Sequence, residues 1–253
     1  MTIEHLKTTL IPALFADTAR ISEYGNSQSG SDAVKAVSDI MELGPVGALA
    51  TCIREILATL KDADPRTVSK QPTWLDTLLG RSIEWQVRYQ VARKSLDDQL
   101  AHAEGVAQLV QDALARIAML QTTHAAESLR LTEHIAAGRQ FLDENPLAGV
   151  VDNATLQFDN PRERFARKLA NLATLLSSHE MSAMQLSLTR AQAVDILDRF
   201  RETASTLIPV WRQHTLSLTN NKNMSPEMLA LATKAHTDLM KSLTISVDGL
   251  ASK

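Results

Sequence analysis

The sequence is poor in the residues that build compact, turn-rich enzymes. Its 253 residues include 9 glycines and 8 prolines, and 4% of the side chains are aromatic. Long helices with few tight turns have such a composition, whereas an α/β enzyme usually carries glycine-rich turns and runs of valine and isoleucine. No run in the sequence has the character of a sheet core, so the composition predicts an all-α fold.

The sequence also lacks cysteines, apart from Cys52. A single thiol excludes an internal disulfide and a CxxC redox or metal site, and with them reduction of a substrate at a dithiol couple. The common phosphate-binding, zinc-protease and serine-hydrolase motifs are absent as well. We therefore expect no enzymatic activity and no cofactor.

Neither charge nor hydropathy indicates a nucleic-acid or membrane-spanning protein. The formal net charge is −3, from 26 basic and 29 acidic residues, and such a chain has no field that would attract nucleic acid. No apolar run approaches the roughly 18 to 20 residues of a membrane span, and the first ten residues lack the apolar core of a signal peptide. We predict a cytoplasmic protein without a nucleic-acid partner, for which peripheral contact with a membrane surface remains open.

The dominant pattern is a pair of long stripes of apolar residues at heptad spacing. One stripe runs through residues 161–218, where Phe165 and Leu169 represent its two heptad positions, and the other runs from Leu96 to Leu142. Neither helix can bury such a stripe alone. We predict an elongated, coiled-coil-like antiparallel hairpin of two helices, each about 60 residues or about 90 Å long.

Helix-breaking residues divide the chain into three predicted parts. Residues 1–73 form a region of short helices, residues 74–218 the hairpin core, and residues 219–253 a short C-terminal helix and tail. We expect Ser31 or Asp32 to cap a helix after the Gly- and Ser-rich residues 25–32. We also expect Pro209 to kink the second long helix near residues 205–208, and the short helices to pack at the end of the hairpin that carries Gly80 and Pro209.

An ordered set of segments resembles the TelA-like toxic-anion (tellurite) resistance proteins. The resemblance covers about residues 60–218 and includes LKDADP, TWLDTLLG, RYQVARKSLDDQL, HIAAGRQFL, FARKLANL and TLIPVWRQH. The last segment is similar to the family's Ile-Pro-Leu-Trp motif, with Pro209 and Trp211 at matching positions and Gln213 or His214 at the polar position. The part after this motif is short for the family, so we expect a reduced member.

The resemblance implies a non-enzymatic toxic-anion or stress resistance protein that acts through protein or envelope contacts. A coiled-coil adaptor or scaffold in plasmid maintenance or phage defence is the alternative from another class. A metal- or oxyanion-binding module is a third. We expect protein partners, and self-association into a homo-oligomer remains open.

Two histidines are the candidate metal ligands. If Leu142 meets Pro161 at the connection of the hairpin, His124 faces His179 on the core side, and Glu127 lies on the same face of its helix. Imidazole and carboxylate groups bind transition metals, which makes these three residues a candidate site. A buried polar layer that sets the register of the helices is the favoured alternative.

Two further groups of residues are candidate binding sites, one for anions or lipid head groups and one for a protein partner. Arg162, Arg164, Arg167 and Lys168 crowd the first turns of the second long helix and could hold an oxyanion or acidic lipid head groups. Cations at a helix N-terminus oppose the helix dipole, which favours a solvated basic face instead. A protein partner could contact the motif residues Pro209, Trp211 and Gln213. In the favoured alternative, Trp211 fills the space that the kink at Pro209 opens.

Overall fold

The computed structural model describes residues 2–42, 44–62, 81–150, 160–220, 227, 230–231, 234–235 and 237–242. These residues are helical apart from short connections, and no strand occurs among them. None of the described helices is both long enough and apolar enough to cross a membrane. The predicted all-α fold, in which two long helices pack together with additional short helices, is confirmed.

The described helices follow one another along the chain from the N-terminus to Asn220. They are α1 (Ile3–His5), a π-helical turn (Leu6–Leu10), α2 (Ile11–Ala16), a 3-10 helix (Thr18–Glu23), α3 (Gln28–Glu42), α4 (Pro45–Asp62), α5 (Arg81–Glu144), α6 (Pro161–Glu202), a second π-helical turn (Thr203–Leu207) and α7 (Ile208–Asn220).

Capping residues explain where α6 and α3 begin. The side-chain oxygen of Asn160 accepts a hydrogen bond from the backbone N–H of Arg162 at 3.1 Å, so Asn160 is the N-cap of α6. Helix α3 begins earlier than predicted, because Ser27, and not Ser31 or Asp32, caps it. The Ser27 hydroxyl accepts from the backbone N–H of Gly30 at 3.2 Å.

The chain divides into two compact units. Unit 1 comprises Met1–Leu43 and Ala115–Arg190, and unit 2 comprises Gly44–Leu114 and Ala191–Lys253. Each unit consists of two separate stretches, because α5 and α6 both continue from one unit into the other. The predicted domain boundary at residues 73–74 lies outside the described residues.

In unit 1, the C-terminal part of α5 runs antiparallel to the N-terminal part of α6. Aromatic rings close the end of this pair, with the centroid of Phe15 at 5.3 Å from that of Phe141 and at 5.4 Å from that of Phe165. The Lys7 ammonium also pairs with Glu144 at 2.6 Å. The buried apolar residues of this core are Leu6, Ile11, Leu14, Ile21, Tyr24, Leu131, Ile135, Ala137, Phe141, Phe165, Leu169 and Leu172.

These contacts correct the predicted position of the N-terminal helices. We expected the short helices at the end of the hairpin that carries Gly80 and Pro209. Helix α4 packs near Pro209 as expected. Helices α1 and α2 instead pack where α5 ends and α6 begins, because their apolar faces fit the aromatic side chains at that end.

In unit 2, helix α4 packs against the N-terminal part of α5, the end of α6 and helix α7. Trp211 is fully buried in this core, and the guanidinium of Arg212 pairs with Asp97 beside it. The buried apolar residues on α4 to α7 are Leu49, Cys52, Ile53, Ile56, Leu57, Leu60, Leu96, Ala103, Val106, Ala107, Val110, Ala193, Ile196, Leu197, Phe200, Ile208 and Trp211.

Both π-helical turns precede an Ile-Pro pair. Residues 9–12 and residues 206–209 have the same sequence, Thr-Leu-Ile-Pro, and in each copy the isoleucine N–H donates to the carbonyl five residues earlier. Proline has no N–H and clashes with the preceding turn, and a wider turn accommodates both defects. The kink predicted near residues 205–208 thus falls where the structure has the π-helical turn Thr203–Leu207.

Two glycines of α5 give a matched test of helix packing. A Cβ added at Gly138 would overlap the side chain of Leu169, whereas one added at Gly105 meets no atom within 4 Å. We expect Gly138→Ala to destabilise unit 1 by about 1–3 kcal/mol, because the buried Leu169 side chain must move within the core to make room for the methyl group. Gly105→Ala should stabilise α5 by up to about 1 kcal/mol through its helix propensity.

Thermal and urea denaturation of the two variants, followed by circular dichroism, measure both effects. Equal melting temperatures for Gly138→Ala and the parent chain would show that the helices do not pack this closely.

Candidate functional site

A buried polar cluster interrupts the apolar core of unit 1. Helix α5 contributes His124, Glu127 and Arg130, which share a face because they are spaced by three residues. Helix α6 contributes His179, and the start of α3 contributes serine hydroxyls. His124 and His179 are 0% exposed and Glu127 is 8% exposed, so the two imidazoles are closed to solvent, whereas Arg130 is half-buried and Ser29 is exposed.

The two imidazoles contact each other directly across the helix pair. Nδ1 of His124 lies 2.8 Å from Nδ1 of His179, and the ring centroids are 4.9 Å apart with an interplanar angle of 60°. The prediction that these histidines face each other is confirmed. Because the Nδ1 atoms meet, the Nε2 atoms lie on the far sides of the two rings.

This contact fixes the protonation of the neutral pair. An N–H···N hydrogen bond needs one donor, so one ring carries its proton on Nδ1 and the other carries its proton on Nε2. Both Nε2 atoms are buried and have no hydrogen-bond partner. The interior of unit 1 therefore contains one N–H donor and one nitrogen lone pair that are both unsatisfied.

The surroundings favour the neutral form of both rings. Burial is the largest effect and lowers the pKa of His124, and the neighbouring imidazole of His179 lowers it further, against the opposing carbonyl of Ala33. Burial also lowers the pKa of His179, although the carboxylate of Glu127 opposes this shift and Arg130 reinforces it. A proton added to the pair is therefore costly.

Glu127 connects α5 to the start of α3. One carboxylate oxygen accepts from the hydroxyls of Ser27 and Ser29, each at 2.9 Å. The other oxygen accepts from the Arg130 guanidinium at 2.9–3.0 Å, and the same guanidinium donates to the carbonyl of Gly25 at 3.0 Å. These bonds attach the Gly- and Ser-rich residues 25–30 to α5.

The carboxylate of Glu127 is held in its charged form. Burial raises the pKa of this carboxyl, but the hydrogen bonds from Arg130, Ser29 and Ser27 outweigh burial, and the net effect lowers the pKa. Arg130 and the two serines thus provide the compensation that a buried charge requires.

The predicted metal set comes together only in part. His124 contacts His179, but Glu127 is bound to hydroxyls and a guanidinium, and Gly30 lies beside both Glu127 and His179. A Cβ at Gly30 would lie 3.1 Å from a Glu127 carboxylate oxygen and 3.4 Å from Nε2 of His179. In the part of the chain that the structure describes, no three His, Cys, Asp or Glu side chains form a group that could hold a metal ion.

The basic residues at the start of α6 are partly bound to backbone carbonyls. Arg162 donates to the carbonyls of Leu142 and Asn145, both at 2.8 Å, and so caps the end of α5. Lys168 donates to the Ser22 carbonyl and the Asn26 side chain, and burial lowers its pKa. The other two members of the predicted anion site, Arg164 and Arg167, are half-buried and exposed respectively.

The three motif residues lie in different environments. Pro209 and Gln213 are exposed, whereas the ring of Trp211 is fully buried in the core of unit 2. A partner could therefore reach Pro209 and Gln213, and Trp211 fills space inside the unit.

Sequence reasoning missed the partners of Glu127. Ser27 and Ser29 belong to a stretch that its composition identified only as a polar hinge, and Arg130 stood in a helix rich in charged residues. The one available signal was the spacing of Glu127 and Arg130, since residues three apart on a helix can pair.

One comparison with known proteins gives a relative. The chain is 58% identical to protein KlaA of Escherichia coli over 245 residues, which make up 97% of this chain and 95% of that protein. No protein-family model matches the chain, and no solved structure matches it.

Acid should destabilise unit 1 through its buried histidines. Burial also lowers the pKa of His134, so three histidines of this unit prefer the neutral form when folded. The unfolded chain takes up protons below about pH 6.5, and the folded chain does so only at lower pH. The stability of unit 1 is therefore complete above about pH 6.5 and decreases as the pH falls toward the lowered pKa values.

Urea denaturation at a series of pH values from about 7.5 to 5 measures this dependence. A chain with His124→Asn and His179→Asn should show a weaker pH dependence, and exposed His102→Asn should leave it unchanged. Stability that does not vary across this range would contradict the buried neutral pair.

Proposed function

The chain belongs to the family of protein KlaA, and on that premise we propose that it is a non-enzymatic resistance protein against toxic anions such as tellurite, or against a related stress. It acts in the cytoplasm through contacts with protein partners or with the envelope. Self-association and peripheral contact with a membrane surface belong to the same proposal.

The observation that carries this proposal is the TelA-like segment at residues 206–211. This segment contains the Ile-Pro pair and Trp211 of the tellurite-resistance motif, and its structure gives each residue a role. The π-helical turn accommodates Pro209, and Trp211 packs in the core of unit 2. Pro209 and Trp211 therefore both have a structural role in unit 2.

The state of the thiol supports a non-enzymatic role. Cys52 is buried, and burial together with the nearby charge of Glu55 raises the pKa of its thiol. A thiol that stays protonated at neutral pH is a weak nucleophile and a weak reductant. Reduction of an oxyanion at this residue is therefore disfavoured.

Exposed apolar side chains on α6 support a role in binding other proteins. Met181, Met184 and Leu188 are 56%, 66% and 62% exposed and lie on one face of α6, at positions i, i+3 and i+7. Flexible methionine-rich surfaces are common where proteins bind each other. This observation equally favours the alternative function, a coiled-coil adaptor in plasmid maintenance or phage defence.

Growth on tellurite tests the proposal. A strain that carries the gene should tolerate a higher tellurite concentration than the same strain without it. Pro209→Ala should reduce this tolerance, because it alters the exposed part of the motif and restores a backbone N–H in the π-helical turn. The minimum inhibitory concentration measures the effect.

Pro12→Ala is the matched control, because it makes the same change in the other Thr-Leu-Ile-Pro segment, outside the motif. Its tolerance should equal that of the parent chain. Equal growth with and without the gene would refute the resistance function and favour the adaptor. Trp211→Ala is unsuitable as a test variant, since loss of a buried tryptophan would destabilise unit 2.

A further inference from the structure

Helix α3 covers one side of the helix pair in unit 1. Glu127 on α5 is hydrogen-bonded to serine hydroxyls at the start of α3. Further along α3, Val37 belongs to one apolar cluster with Ile117 of α5 and Leu186 of α6. These contacts place α3 along the groove between the two long helices.

The other side of the pair is exposed. Gln121 lies six residues before Glu127, which is about 120° around α5, and its side chain donates to Ser187 of α6 at 3.0 Å. This bond marks the edge of the pair away from α3, and we call the surface beyond it the open face. Its exposed residues on α5 are Ala118, Thr122, Ala125 and Leu129. Those on α6 are Ser177, Glu180, Met184 and Leu188.

The open face is apolar and almost uncharged. Leu129, Met184 and Leu188 are 64%, 66% and 62% exposed. Glu180 is the single charged side chain among the eight residues that define the face. Depletion of charge around large apolar side chains is typical of the core of a protein interface. A partner of strong charge would find no complementary charge pattern here.

Large and small side chains of the open face lie level with each other. The contacts of His124 with His179 and of Gln121 with Ser187 fix which residues of α5 and α6 are at the same height. By this register, each large side chain of the open face is level with a small one on the other helix. These level pairs are Ala118 with Leu188, Thr122 with Met184, and Leu129 with Ser177.

A second copy of the chain fits this pattern. A two-fold rotation about an axis parallel to the helices places α5 of one copy over α6 of the other and keeps every height unchanged. Each large side chain then meets a small one of the partner, and neighbouring helices run antiparallel as in a four-helix bundle. The two Glu180 carboxylates lie on diagonally opposite helices, so like charges do not meet.

We propose that unit 1 binds a second copy of itself through the open face. Met184 and Leu188 of each copy pack on Thr122 and Ala118 of the other, and the two helix pairs form a four-helix bundle. This inference rests on the self-association included in the proposed function, and it names the surface responsible. Dimerisation is measured on the purified chain and resistance by growth, so either one can fail while the other holds.

Sedimentation equilibrium of the full-length chain tests the dimer. The open face is about 17 Å long and two helices wide, which is small for an interface, so we expect a dissociation constant on the order of 10–100 μM. Met184→Glu and Leu188→Glu should each raise this constant about 10-fold or more, because each would bury a carboxylate in the contact.

Met119→Glu is the matched control for these variants. Met119 is 72% exposed, and it lies six residues before Ala125, about 120° around α5 from the open face. The same substitution there should leave the dissociation constant unchanged. Circular dichroism establishes that each variant is folded before the constants are compared.

Disulfide cross-linking tests how the two copies are arranged. One chain carries Thr122→Cys and the other Met184→Cys, both with Cys52→Ala, and the two are mixed and oxidised. We expect dimers linked by a disulfide in the mixture and few with either chain alone, because α5 of one copy faces α6 of the other.

Three results would overturn the proposal. They are a chain that stays monomeric up to about 300 μM, well above the expected constant, a dimer that Met184→Glu and Leu188→Glu leave intact, and cross-linking of either chain alone that equals that of the mixture. A monomeric chain would assign the open face to a different protein.

Discussion

Apolar side chains at the heptad positions of α5 and α6 cannot be buried within their own helix, and this constraint determines the core of both units. In unit 1 the two helices bury Leu131 and Phe141 against Phe165 and Leu172, and in unit 2 they bury Leu96 and Val110 against Ala193 and Leu197. The shorter helices cover the faces that remain, α1 and α2 in unit 1 and α4 in unit 2. Because the interior is filled by these contacts, the polar groups within it must find partners inside the protein.

In the buried polar cluster of unit 1, some polar groups have hydrogen-bond partners and others do not. Glu127 is fully compensated by Arg130, Ser27 and Ser29, and in return it attaches the start of α3 to α5. The histidines satisfy each other through one nitrogen each and leave the other nitrogen unpaired. A polar layer in an apolar helix interface usually lowers stability and specifies one register, since any shift would bury the polar groups against apolar side chains. The cluster can therefore set the register of α5 against α6 in unit 1.

The pairing of the long helices was predictable because it depends on periodicity, and periodicity is visible in the sequence. The same spacing placed His124 opposite His179. The position of α1 and α2 was not predictable, because it depends on how aromatic rings far apart in the chain fit together. The hydrogen bonds of Glu127 to Ser27 and Ser29 were missed for a similar reason, since these residues are about a hundred positions apart. Function was predictable only through family resemblance, since buried helical interfaces reveal no chemistry.

The antiparallel register of α5 and α6 in unit 1 is the claim on which the histidine contact depends. The Gln121 side chain donates to Ser187 at 3.0 Å, so cysteines introduced at these two positions in a Cys52→Ala chain lie within reach of a short bis-maleimide. We predict efficient cross-linking within one chain for Gln121→Cys with Ser187→Cys. We predict little for Gln121→Cys with Glu180→Cys, which is displaced by one heptad. Preferential cross-linking of the displaced pair would contradict the register.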